Sequence, residues 1–123
     1  MRLFVTLFLF LTFSAFGSEI LSFSGGKVKA QVTWEKGPLD NQESVMMVEL
    51  KSEETPKPYD IKVALYMPEM GHGSSPTKVE KIPQTNRYKV SKIFFTMPGT
   101  WEVRVTLKSE DGAKETQSFK VDI

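Results

Sequence analysis

The chain has 123 residues, 25% of them charged and 40% hydrophobic, with a formal net charge of +1. Those values fit one globular domain and exclude a disordered tail, a collagen and a polytopic membrane protein. A near-zero charge gives no field for nucleic acid, and the absence of cysteine removes disulfides, thiolate zinc sites and cysteine nucleophiles.

Five of the nine phenylalanines fall within the first 16 residues. Arg2, the apolar run Leu3 to Phe13, and the small residues Ala15 and Gly17 read as a secretory signal peptide over 1–17. The run is too short for the ~20 residues that cross a bilayer. Cleavage before Ser18 leaves a domain over 18–123, in the periplasm or outside the cell. No cysteine follows to carry a lipid, so no stable membrane anchor is expected after cleavage.

Beyond this segment the pattern is period-2 alternation. A short first strand, Glu19 to Ser24, closes at Gly25-Gly26. Val28, Ala30, Val32 and Trp34 alternate with polar neighbours up to Gly37-Pro38. Ser44 to Ser52 places Met46, Val48 and Leu50 on one side. Thr55-Pro56-Lys57-Pro58 is a turn. Tyr59, Ile61, Val63, Leu65 and Met67 form the next inward set. Thr77 to Ile82 is a weaker strand, followed by the turn Pro83 to Asn86. Trp101, Val103, Val105 and Leu107 alternate again, as do Phe119, Val121 and Ile123 after the Asp111-Gly112 turn. The strand from Arg87 to Met97 breaks its own parity. Tyr88 and Val90 are even, whereas Ile93, Phe95 and Met97 are odd. A β-bulge near Ser91-Lys92 restores one inward set; without it Phe94 points inward and Phe95 outward. The expected fold is all-β: an immunoglobulin-like antiparallel β-sandwich of seven or eight strands, with Trp34 or Trp101 filling the core.

Chemistry concentrates in two stretches. Met67-Pro68-Glu69-Met70-Gly71-His72-Gly73 holds the sole histidine and reads as a loop beyond a strand end. Met97-Pro98-Gly99 is a second strand end. Counting strands up and down brings both to one rim. Thioethers are soft, neutral donors and imidazole is borderline, a set that selects Cu(I) over hard ions. Zinc favours more nitrogen or thiolate, and calcium favours oxygen. Methionine in a β-domain is also ordinary core filler, and Met67 and Met97 share parity with inward residues. Met70 has no periodic reason to be apolar. No Gly-x-Ser-x-Gly elbow, phosphate-binding glycine pattern or acid aimed at His72 is present, so a binding protein is expected, not an enzyme.

The string Tyr66 to Gly73, then Tyr88, then Phe95-Thr96-Met97-Pro98-Gly99-Thr100-Trp101-Glu102-Val103 resembles the YtkA-like family and the related FixH-like proteins. The resemblance spans roughly Asp60 to Leu107. It implies a small extracytoplasmic immunoglobulin-like domain, often tied to copper handling, with Met67, Met70, His72 and Met97 as ligands. FixH-like proteins keep a membrane helix, whereas the segment here looks cleavable. The resulting expectation is a Cu(I) carrier or buffer with a copper acceptor as partner. The alternative is a metal-free module that docks on another envelope protein.

Overall fold

The computed structural model describes residues 18–52 and 59–123. The expected signal segment, 1–17, and the turn Thr55-Pro56-Lys57-Pro58 lie outside the described residues. Among the described residues no helix is long and apolar enough to cross a membrane.

Alternation becomes strands, because each such segment buries one face and wets the other. The strands are β1 (Ser18–Phe23), β2 (Val28–Lys36), β3 (Glu43–Ser52), β4 (Asp60–Met67), β5 (His72–Gly73), β6 (Lys78–Lys81), β7 (Arg87–Phe94), β8 (Thr100–Lys108) and β9 (Lys114–Asp122). They build two antiparallel sheets, β1-β2-β3-β7-β6 and β5-β4-β8-β9. Their inward residues meet in one apolar cluster, from Val32, Met46 and Val90 on one sheet to Leu65, Trp101 and Val103 on the other. Burying each large side chain contributes about 1.5–3 kcal/mol. The expected all-β sandwich is therefore the fold. Among the described residues eight strands have four residues or more; the ninth, β5, was not foreseen.

The bulge in β7 lies where parity placed it. Ser44 faces Ile93 and Met46 faces Val90, so β7 carries one extra residue between them. Lys92 adopts φ +58°, and its N–H donates to the Glu43 carboxylate at 2.9 Å. Ile93 and Phe95 are fully buried as a result, alongside Tyr88 and Val90. The strand ends at Phe94, earlier than the Met97 expected. Phe95 makes only an isolated parallel bridge to Asp40, and its carbonyl accepts the Asn41 N–H at 2.8 Å.

A second irregularity, near Glu35, offsets β2 from β3: Trp34 faces Met46, and Lys36 faces Val45. The chain then turns through Gly37 and a cis Pro38. A Cβ on Gly37 would lie 2.5 Å from Ser44 Oγ, so only glycine fits. Ser44 is the buried polar residue of this corner, and its hydroxyl accepts the Leu39 N–H at 2.8 Å. Ser44→Ala leaves that N–H without its acceptor. The expected loss is about 1–3 kcal/mol by urea denaturation. A cost below about 0.5 kcal/mol would show that this bond does not hold the corner.

Candidate functional site

The β4–β5 hairpin builds the first half of the rim. Met67 ends β4, and its carbonyl accepts the N–H groups of Met70 at 3.1 Å and Gly71 at 3.0 Å. Gly71 closes this tight turn at φ +67°, a conformation that suits glycine. The chain then returns as β5, whose register sets His72 opposite Met67 and Gly73 opposite Tyr66. Met67 belongs to β4, as its parity indicated, but the reading of the whole stretch after it as a loop is corrected: His72 and Gly73 are paired strand, and only Pro68 to Gly71 bridge β4 and β5. Met70 sits at the tip and is 56% exposed.

The second half comes from the approach to β8. That strand runs antiparallel to β4 with Tyr66 opposite Glu102, so its start lies at the Met67 end. The Met97-Pro98-Gly99 segment is fixed from two sides. The Trp101 indole N–H donates to the Met97 carbonyl at 3.0 Å. Gly99 exchanges both backbone bonds with Ile123, at 3.1 and 2.9 Å. The two halves touch: a Cβ on Gly99 would lie 2.9 Å from the Met67 methyl and 3.9 Å from its sulfur. The strand count that placed both stretches at one rim is realised in space.

The four residues nevertheless stand in different surroundings. Met67 is 3% exposed and belongs to the apolar core. Met97 is half-buried and packs against that core. Met70 is open to solvent, while His72 is placed by its backbone pairing with Met67. Met67 fulfils the core role that its parity indicated, with its sulfur beneath the Gly99 backbone. Among the described residues, no group of three or more His, Cys, Asp or Glu could hold a metal ion. The residues that sequence reasoning singles out at this rim carry thioethers and one imidazole, which are soft and borderline donors.

Tyr88, which accompanied the two motifs in the sequence, lies at the opposite end. Its hydroxyl donates to the Tyr59 carbonyl at 3.5 Å, just before β4 begins. Burial, reinforced by the Asp60 carboxylate, raises its phenol above the ordinary value of 10.0. Sequence reasoning missed a polar trio on the outer face beside the rim. The Arg104 guanidinium lies 4.1 Å over the Tyr66 ring, and its Nε is 2.6 Å from the Glu102 carboxylate. Outward alternation marked each residue singly; only the β4–β8 register joins them.

The profile of the YtkA-like family matches residues 25–106, more than half of the chain. The chain belongs to the YtkA-like family. Among solved structures, this YtkA-like domain is similar to a DUF4426 family protein from Pseudomonas aeruginosa PAO1. The TM-score is 0.63, over 85% of this chain and 96% of that one, at 12% identity. At that identity the likeness is one of fold. No curated protein sequence matches the YtkA-like chain.

Proposed function

We propose that this YtkA-like domain is a secreted or periplasmic Cu(I)-binding protein, a carrier or buffer that takes the ion at the rim through Met67, Met70, His72 and Met97. The observation that carries this reading is the contact between the Met67 side chain and Gly99, which joins the two methionine-bearing segments. Met67 at the end of β4, half-buried Met97 in the segment before β8 and exposed Met70 one turn away thus stand at the same end of the sandwich. Thioethers hold Cu(I) without a thiol that air and copper would convert to a disulfide. Met70 is the donor that an arriving or departing ion meets first, while Met67 lies at the base. Imidazole binds when neutral, so proton uptake at His72 competes with the metal.

Leucine substitution separates ligation from packing. It keeps nearly the volume of methionine and costs less than about 1.5 kcal/mol, but removes the sulfur. Met67→Leu, Met70→Leu, Met97→Leu and His72→Ala are each expected to lower Cu(I) affinity about tenfold or more, with the fold intact. Tenfold is the low end of what even outer-shell partners contribute to metal sites. Competition with a colourimetric Cu(I) chelator reads the affinity, and thermal melting reads the fold. Unchanged affinity across all four variants would end the proposal and favour a metal-free docking module.

A further inference from the structure

The flank of the sandwich between β4 and β6 has a feature that the rim does not use. On one side β4 is paired with β8 from Asp60 to Tyr66. On the other, β5 reaches only Tyr66 and Met67. Among the described residues, no strand covers the rest of that edge. Alternation tells which groups face it. The Val63 carbonyl accepts the Thr77 hydroxyl at 2.7 Å, and the Leu65 carbonyl accepts the Ser74 N–H at 3.3 Å. Odd-numbered residues of β4 therefore point their backbone groups away from β8. In an antiparallel pair the N–H and C=O of one residue share a side. The Ile61 N–H and C=O and the Val63 N–H thus lie along the open edge.

Across the gap runs β6, the short edge strand of the other sheet, paired only with β7 among the described strands. Beside the two edges lie adjoining cavities of about 480 and 720 Å³, both lined by Ile61, Lys62 and Val79; the first extends past β4 to Lys108 of β8 and Lys114 of β9. Their walls are strongly one-signed. Lys62, Lys81, Lys108 and Lys114 stand against the single carboxylate of Asp60 among the lining residues, while Arg104 at the far end is already paired with Glu102. The chain as a whole carries a net charge of only +1, so this excess is local. Lysines on an edge repel a second copy of the same edge. The same charges attract a strand of opposite sign.

We propose that this flank is a docking groove for an acidic peptide segment of a partner protein, bound in extended form as an added strand along β4. Main-chain bonds to Ile61 and Val63 supply pairing, and the lysines select the sign of the incoming side chains.

The test uses the full chain and a labelled heptapeptide of alternating valine and glutamate, read by fluorescence anisotropy at low salt. Two further forms of the peptide carry N-methyl groups on one or the other set of alternate residues. A version with lysine for glutamate completes the set. The acidic peptide is expected to bind, and one N-methylated form to lose about tenfold or more in affinity because its pairing edge is blocked. Lys62→Glu combined with Lys108→Glu is expected to weaken binding about tenfold, with an unchanged melting temperature. The Ile61 and Val63 amide resonances should shift on titration. Equal binding by both N-methylated forms, equal binding of the lysine peptide, unmoved Ile61 and Val63 amides, or no binding at all would each overturn the proposal. None of these outcomes depends on copper.

Discussion

Replacing Trp101 by alanine is expected to remove about 3–5 kcal/mol of folding stability, the loss typical of a large aromatic deleted from a core. Trp101 has no exposed surface. It meets Phe95 edge-on at 5.6 Å between ring centres, and Phe95 in turn meets Trp34 at 6.2 Å. Strands from both sheets converge on this aromatic row, and β2 and β8 have no other ring to replace it. Domains of this kind are stable by only about 5–15 kcal/mol, so the variant should lie near the edge of folding. Trp101→Phe refines the result. It retains a ring against Phe95 but loses the indole bond to the Met97 carbonyl, so it should cost less than alanine and still loosen the rim. Urea denaturation followed by circular dichroism gives both values. A loss below about 1 kcal/mol for Trp101→Ala would contradict the packing described.

Gly99→Val is expected to cost about 3 kcal/mol, from two separable sources. Gly99 has φ +139°, where a β-branched residue is strained by about 1–3 kcal/mol. The new Cβ also lands 2.9 Å from the Met67 methyl. The backbone cannot slide away, because the N–H and C=O of Gly99 are both bonded to Ile123. Shortening the opposing side chain separates the two sources. In a double-mutant cycle with Met67→Ala, the collision disappears and the backbone strain stays. A favourable coupling of about 1 kcal/mol is therefore expected. Strict additivity would show that the side chain of Met67 does not press on Gly99 in solution.

Most of the fold was legible because parity is a local signal. Met46, Val48 and Val103 are apolar at every second position, and each is fully buried. The β7 bulge was legible for the same reason: two inward sets of opposite parity collide at Ser91-Lys92, and one extra residue reconciles them. The irregularity near Glu35 left no such trace. The residues after Trp34 are polar and wet on both faces, so a shift there misplaces nothing apolar. β5 was hidden because two residues cannot show a period, and Gly73 carries no side chain to alternate. At the rim, strand counting was enough to bring Met97 and Met67 to one end. Their approach through Gly99 was not readable, since it depends on how closely one backbone passes over one side chain. The pairing of Arg104 with Tyr66 and Glu102 likewise required the register, which sequence alone leaves open.

The unequal shelter of Met67 and Met70 ranks the two thioethers by chemical vulnerability. Peroxide adds oxygen to an accessible thioether and leaves a polar, chiral sulfoxide in place of a soft donor. Met70 stands in the reagent's path, whereas Met67 is shielded by the Gly99 backbone. Damage therefore begins at the hairpin tip, where the added oxygen disturbs no hydrocarbon packing and a repairing reductase has access. The interior sulfur is spared until the sandwich itself opens.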